Sequence, residues 1–590
     1  MRKRTVIAAL ALLLAPLATQ RASAACGVAT IAELPVTMVN MRPVVGAKIN
    51  GADARFIADS GAFFNMITTP SAAEFHLRLR PAPTNIRVTG LGGSAEVTAT
   101  TVAEFTLGSV SARNVDFFVG GGEMGSDAVG VLGQNVLGLA DTEYDLANGV
   151  IRLMRSQGCG NHPLAYWTTT EPSTLELSNT TPIARQTTAT ATVNGVKIRV
   201  LFDTGAAASM LSLTAAKRAG IDPKAAGVVV GGLSRGVGRR MVETWIAPVA
   251  SFKIGDEEIR NTKLRLGDVW LENVDMLIGA DFFLSHRIYV AGSQRKLYFT
   301  YNGGPVFNLA TTALTQAGAA APTPSAPKPD EAAAPTDAPG FARRGAAFAA
   351  RRDFAQAIAD FTRACELAPN EPSYFYQRGR ALAQNKQLAL ARADFDRALS
   401  LAPADVPALL ARAELRLAAK DEAAAFLDLD AADRSSDKQS DVHLMLAELY
   451  RQADALRPAV AQFDLWIRAH PDDSRQGLAL NGRCWVRGLL DEALEKALAD
   501  CDAAVKRLPK SPGALDSRGL VRLRMGQSDK AIADYDAALG QQPRSAWSLY
   551  GRGLAEMRKG MTAQGKADMA AADVMEPRVG EEAARWGLTP

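Results

Sequence analysis

Two hydrophobic patterns divide this chain of 590 residues. From residue 28 to about residue 305, apolar and polar positions alternate in short runs rich in Val, Ile, Thr and Phe. A period of two puts one face of a strand in a core, so this region is expected to be all-β. Asn50-Gly51 and Asn194-Gly195 each stand between alternating runs, AKINGADARFIAD and ATVNGVKIRVLFD, a strong hairpin signal. Between residues 309 and 340 the pattern collapses into Ala, Pro, Thr and Ser, which predicts a linker with nothing to bury. From 341 to 590 the chain is expected to be all-α.

The helical part repeats with a period of 34 residues. A frame starting at 338 holds Gly345, Ala357, Phe361, Ala364 and Pro369, and the next holds Gly379, Ala391, Phe395, Ala398 and Pro403. After a four-residue insertion it resumes at 478 and later gives Gly519, Ala531, Tyr535, Ala538 and Pro543. Small residues let two helices approach, and the Pro ends the second one. This pattern resembles tetratricopeptide repeats, about seven of them, stacked as a solenoid. The frame puts Cys484 at its seventh position and Cys501 at its twenty-fourth, where side chains meet across a helix pair, so a disulfide is expected there, two buried thiols in contact being the alternative. Cys26 and Cys159 bracket the first β half and can close it, and Cys365 is left as a buried small apolar residue.

The two β halves match. Arg55-Phe56-Ile57-Ala58-Asp59-Ser60-Gly61-Ala62 recurs as Val200-Leu201-Phe202-Asp203-Thr204-Gly205-Ala206, with the two Asp 144 residues apart. The Asn-Gly turns keep that shift. Each Asp is followed by a glycine-rich hairpin tip, Gly90-Leu91-Gly92-Gly93 and Gly231-Gly232-Leu233, and then by Val131-Leu132-Gly133 or Leu277-Ile278-Gly279. An Asp-Thr-Gly alone is a weak signal, because turns are full of such residues. Two copies with three coincident companions are specific.

The pattern resembles the aspartic peptidases, in particular the retroviral-like type, duplicated in one chain over roughly residues 35–305. The resemblance implies a bilobal all-β fold of two six-stranded-type lobes, at residues 28–160 and 165–305. It also implies a catalytic dyad of Asp59 and Asp203, supported by Ser60, Gly61, Ala62, Thr204, Gly205 and Ala206. Leu132-Gly133 and Ile278-Gly279 would brace the two loops, the glycine-rich tips would be flaps, and Ser60 and Thr204 would hydrogen-bond across the lobe interface. Neither metal nor cofactor is required. Ala62 and Ala206 stand where pepsin-like sites carry Ser or Thr, which predicts weaker stabilisation of the charged dyad and activity at mildly acidic to neutral pH. Asn135 follows the first bracing strand and Asp281 the second, so the lobes have diverged.

Charge changes little. Four of the 66 basic residues lie in the first 24, and the rest equal the 62 acidic ones, so nothing favours nucleic acid or an anionic membrane. Residues 1–24 read as an export signal: Arg2-Lys3-Arg4, an apolar stretch from Val6 to Leu17, then Ala22-Ser23-Ala24. The mature chain is expected to be periplasmic or secreted, without a membrane span. Ser23 stands where bacterial lipoprotein signals carry Leu, so lipid anchoring at Cys26 is not expected. Gly232-Leu233-Ser234-Arg235-Gly236 and Gly120-x-Gly122-x-x-Gly125 match hydrolase and dinucleotide motifs but lack the helix that each requires. The five His residues, at 76, 162, 286, 443 and 470, form no metal-like spacing, Cys159-x-x-His162 being half a site at best. The function expected is an exported aspartic endopeptidase whose repeat domain binds a protein partner or substrate. The alternative is an inactive protease-like scaffold for assembly in the cell envelope.

Overall fold

The computed structural model describes residues 26–83, 88–121, 128–178, 186–234, 236, 240–268, 273–307, 309 and 335–590. The signal-like segment, most of the linker, Gly122, Gly125 and Arg235 lie outside these residues. The chain divides into two compact units, Met1–Pro369 and Asn370–Pro590.

The first unit is built on a six-stranded antiparallel sheet. Its order is Ser173–Glu176, Lys296–Tyr301, His286–Ala291, Asp141–Asp145, Val150–Gln157 and Gly27–Val39. A six-stranded barrel hangs from each end. The first barrel runs Arg42–Ile49, Ala52–Ala58, Gly130–Leu132, Met66–Ile67, Val110–Val119 and Thr98–Leu107, and pairing of the last strand with the first closes it. The second runs Thr188–Val193, Val196–Phe202, Met276–Ile278, Met210–Ser212, Glu257–Gly267 and Val242–Ile254, closed in the same way.

Local chemistry sets these registers. Ile49 pairs with Ala52 and Val193 with Val196, leaving Asn50-Gly51 and Asn194-Gly195 as two-residue turns. All four turn residues have positive φ, which Asn and Gly adopt at least cost. Alternation fills each barrel. Phe56, Phe105 and Phe117 cluster in the first with ring centroids 5.3–5.9 Å apart, and Phe202 meets Phe282 and Phe283 in the second at 6.2 and 6.1 Å.

The two halves are related by a pseudo-two-fold axis. A shift of 146 residues carries Gly133 onto Gly279 and Thr142 and Tyr144 onto Ile288 and Val290. At the junction of the halves Thr142 pairs with Val290 and Tyr144 with Ile288, so the axis passes between Glu143 and Tyr289. Glu143 is fully buried there; Arg152 and Arg287 donate to its Oε1 at 2.8 and 2.9 Å, and the Tyr166 hydroxyl donates to Oε2 at 2.6 Å.

The first helix of the repeats begins at Ala338, inside the stretch expected to be linker, with Asp337 capping it and Pro339 in its first turn. It pairs with Phe354–Leu367 and sits on the β body within the same unit, where Arg351 donates to the Gly303 carbonyl at 2.8 Å. The second unit holds six further antiparallel helix pairs and a terminal helix, Val579–Arg585. In most pairs a first-helix Arg forks onto a second-helix Asp: Arg344–Asp360, Arg378–Asp394, Arg412–Asp428, Arg483–Asp500, Arg518–Asp534 and Arg552–Asp568. Beside it a Gly faces the aromatic ring of the partner helix. A Cβ on Gly379 would come within 2.6 Å of Phe395, and one on Gly519 within 2.9 Å of Tyr535.

Both expected disulfides are present, with Cα separations of 4.1 Å for Cys26–Cys159 and 5.5 Å for Cys484–Cys501, and Cys365 is buried and unbridged. The frame around the second is corrected by one residue. Arg483 pairs with Asp500, so Arg483 takes the ladder-Arg position and Cys484 the Gly position. The cause is an extra residue in the turn after Gln476–Leu490, where both Asp491 and Ala493 have positive φ. The bridge thus replaces the Gly–aromatic contact of the other repeats. Replacing Cys484 and Cys501 together by Ala is expected to cost roughly 3 kcal/mol by the loop-closure argument. Calorimetry of the double variant beside the parent checks this.

Candidate functional site

Each Asp is placed by the strand before it and the strand beside it. Ala52–Ala58 ends at Asp59, and Gly130–Leu132 runs parallel to it, so the Asp59 N–H donates to the Leu132 carbonyl at 2.9 Å. Val196–Phe202 and Met276–Ile278 repeat this arrangement, with the Asp203 N–H donating to the Ile278 carbonyl at 2.8 Å. Gly133 and Gly279 end the bracing strands under the loops. A Cβ on Gly133 would approach the Phe64 and Ala62 carbonyls within 2.8–2.9 Å, so the residue must be Gly.

Ser60 and Thr204 interlock the loops reciprocally. The Ser60 N–H donates to Thr204 Oγ1 at 2.9 Å, and the Thr204 N–H donates to Ser60 Oγ at 3.0 Å. Each hydroxyl then donates across the interface, Ser60 Oγ to the Phe202 carbonyl at 2.9 Å and Thr204 Oγ1 to the Ala58 carbonyl at 2.6 Å. Both side chains are buried, so their partners are fixed.

The carboxyl groups of Asp59 and Asp203 hydrogen-bond to each other in the centre. Asp59 Oδ1 accepts from the Gly61 and Ala62 N–H groups, both at 2.9 Å, and Asp203 Oδ1 accepts from the Ala206 N–H at 3.1 Å. Gly61 lies against the Asp203 carboxyl and Gly205 against that of Asp59, with no room for a Cβ at either. Burial raises the Asp59 carboxyl above the usual range, against the hydrogen bonds that favour its charge. Burial and the neighbouring Asp59 charge together raise Asp203 well above that range. Such a pair holds one proton between two acids.

The sequence did not announce several supporting residues. Arg42 belongs to the first strand of its barrel; burial lowers its guanidinium, while the charges of Asp59 and Asp203 oppose that shift. The 144-residue shift carries Arg42 onto Gln186, whose Nε2 donates to the Gly61 carbonyl at 2.8 Å. Tyr144 lies buried beneath the pair, hydrogen-bonded to Gln134 and Ser60, and burial and the Asp59 charge raise its phenol. Gln134 Nε2 donates to the Ser60 carbonyl at 2.9 Å.

The divergent Asn135 and Asp281 do one job with different chemistry. Asn135 Oδ1 accepts from the Asn65 N–H at 3.0 Å, and Asn65 Oδ1 accepts from the Gly133 N–H at 3.0 Å. In the second lobe Asp281 accepts from the Ser209 N–H at 2.9 Å, and the Gly279 N–H donates to Ser209 Oγ at 2.9 Å. Asn65 and Ser209 are themselves 144 residues apart, a signal that was available in the sequence.

The hairpin tips meet. Leu91 and Gly92 form the turn between Val88–Gly90 and Gly93–Ala95, with Gly90 paired to Gly93, and the Arg240 N–H donates to the Gly92 carbonyl at 3.0 Å. Gly236 lies against Leu91, where a Cβ would stand 2.7 Å from that side chain. Gly231, Gly232 and Leu233 lie within the strand Val229–Ser234 and lead to the second tip rather than forming it. The hydrolase-like Ser234 ends that same strand. Cys159 is bridged to Cys26, which removes it from any pairing with His162.

Aspartyl protease is the family whose model matches residues 45–136 and 189–282, one copy around each Asp. A tetratricopeptide repeat model matches residues 343–406 and 517–571. This chain joins two aspartyl protease domains to a tetratricopeptide-repeat array. No curated protein matches it. Among solved structures, a tetratricopeptide repeat protein from Parabacteroides merdae is 16% identical with a TM-score of 0.33, over 42% of this chain and 98% of that one. The C-terminal part of a repeat protein from Cytophaga hutchinsonii is 13% identical with a TM-score of 0.30, over 36% and 87%. YrrB, described as a TPR protein with an unusual peptide-binding site, is 18% identical with a TM-score of 0.22, over 37% and 93%.

Proposed function

We propose that the protein is an exported aspartic endopeptidase whose catalytic groups are Asp59 and Asp203. The observation that carries this reading is the hydrogen-bonded pair of half-buried carboxyls, locked by the reciprocal Ser60–Thr204 contacts. The ionised member takes a proton from a water, which attacks the peptide carbonyl. The protonated member polarises that carbonyl and then protonates the leaving nitrogen. Loop and bracing residues act by positioning, and the meeting hairpins act as flaps over the substrate. Phe63 and Phe64 follow the first loop and are 40% and 37% exposed, while Ala207 and Ala208 stand at the matching places in the second. The substrate therefore meets an aromatic wall on one side and a small-residue wall on the other.

The repeat array is assigned to binding a polypeptide partner or substrate, since stacked helix pairs offer long continuous surfaces. Two disulfides agree with an oxidising compartment. No helix among the described residues is long and apolar enough to cross a membrane.

The test is hydrolysis of an unfolded protein by the purified chain, blocked by a statine-type transition-state mimic. Intact substrate at every pH would overturn the reading in favour of the scaffold. The pH profile is a separate expectation. Activity requires one proton on the pair, so it rises as the pair loses its first proton and falls as it loses the second. Both acids are raised, which moves the bell upward, into mildly acidic to neutral pH. A kcat/KM profile peaking sharply near pH 2–3 would contradict it.

A further inference from the structure

One buried acid in the repeat array has no basic partner. Asp516, on the helix Pro512–Arg524, is 9% exposed, and the Ser548 hydroxyl donates to its Oδ1 at 2.5 Å. The ladder aspartates each take an Arg fork. Arg518, two residues along the same helix, turns instead to Asp534 and Asp502. Among the described residues, no Lys, Arg or His stands within ion-pair distance of Asp516.

Asp516 stands in the wall of a small pocket whose other lining residues are Trp485, Tyr535, Trp547, Tyr550, Gly551 and four Leu. Trp485 comes from the helix Gln476–Leu490 and Trp547 from the helix Ala546–Arg558. Their rings meet edge to face at 5.6 Å, and both are half-buried. The free core of the pocket is about 10 Å³, room for one water-sized group.

This arrangement is unfavourable when empty. A desolvated carboxylate lacks a counter-charge, and the negative faces of aromatic rings cannot supply one. Burial pushes the Asp516 carboxyl up to about 6. An ammonium group answers both features, as an ion-pair partner for the acid and a cation for the rings. It also matches the water-sized core, whereas a guanidinium is planar and larger.

We propose that this pocket binds the ammonium group of a lysine side chain on a polypeptide held by the repeat array. The proposal rests on the reading that the array binds polypeptides, and specifies which side chain it selects.

The test uses the full-length protein with ¹⁵N-labelled indoles, titrated with N-acetyl-lysine N-methylamide and with the norleucine and arginine counterparts. Saturable shifts are expected at the indoles of Trp485 and Trp547, with half-saturation for lysine at least about tenfold lower than for norleucine or arginine. Asp516→Asn is near in shape and keeps an oxygen for Ser548. It is expected to erase the preference for lysine while leaving the other indole signals in place. Equal response to norleucine, unchanged lysine binding by Asp516→Asn, or no shift at Trp485 and Trp547 would each overturn the proposal. Binding of a lysine-free unfolded polypeptide to the chain, read by fluorescence anisotropy, tests the array reading separately. If that binding persists while the pocket is silent, the lysine assignment alone falls.

Discussion

Asp203→Asn is expected to lower kcat for peptide hydrolysis by roughly three orders of magnitude or more while the protein stays folded. Asn keeps the oxygen that accepts from the Ala206 N–H, and the Ser60–Thr204 contacts do not involve the side chain replaced. What is lost is the shared proton, which both halves of the reaction need. Asp59→Asn should cost about as much, and the double variant little more, because the two carboxyls act as one unit. Stability should move the other way. A carboxyl raised by burial is most comfortable in the fold below its unfolded pKa and costs stability as pH rises through its folded pKa. Asp203→Asn is therefore expected to melt higher than the parent at neutral pH. Single-turnover hydrolysis and calorimetry on one preparation read both effects. Hydrolysis that survives either substitution would remove the dyad.

Gly205→Ala is expected to be nearly as damaging although both acids remain. Its Cβ would fall inside the Asp59 carboxyl, and the loop is held by strand hydrogen bonds and by the Thr204 contacts, so it cannot retreat. The carboxyl must turn away, breaking its hydrogen bonds with Asp203 and with the Gly61 and Ala62 N–H groups. A misplacement of about 1 Å in a reacting group costs on the order of a hundredfold in rate. Gly61→Ala makes the same intrusion on Asp203. The check is kcat with KM followed separately: kcat should collapse while KM moves little, because the substrate-contacting walls are untouched.

Asp516 gives a smaller effect, a gain in stability. Its carboxyl rises from 3.8 to about 6 on folding, so it favours the fold below pH 4 and costs stability as pH rises toward and past 6. At pH 7.5, Asp516→Asn is expected to recover up to about 3 kcal/mol, from the shift of about two pH units. Urea melts at pH 4 and pH 7.5 would show the gain only at the higher pH.

How much of this was legible in the chain depends on how local each signal is. Asn50-Gly51, Asn194-Gly195, Asp59-Ser60-Gly61 and Asp203-Thr204-Gly205 carry their geometry in adjacent residues, so short windows found them. The 34-residue period found the helix pairs, because each repeat buries the same face. Cys484 was paired correctly but placed one residue off, since the extra residue between Asp491 and Ala493 changes the register of one helix alone. Arg42, Gln186 and Tyr144 were missed because they reach the pair from strands or loops distant in sequence, and Gln134 because it opens a short helix just past the bracing strand, all as ordinary residues in ordinary patterns. Asn65 and Ser209 could have been found by applying the 144-residue shift to every polar residue rather than only to the motif.

The pairing of Glu143 with Tyr289 on the pseudo-two-fold axis decides which lobes can associate. Two copies of the first lobe joined through this sheet would set Glu143 against Glu143. They would also put Asp141 where Arg287 now stands, since the 146-residue shift carries Asp141 onto Arg287. Four carboxyl groups would then crowd a desolvated seam with Arg152 alone to answer them in each copy, the Glu143–Arg287 bridge of 2.7 Å being lost. Two copies of the second lobe would instead bring two Arg287 residues together without Glu143. Each lobe is therefore built to reject its own kind, and a chain cut between residues 160 and 165 should reassemble from unlike halves and not as either homodimer.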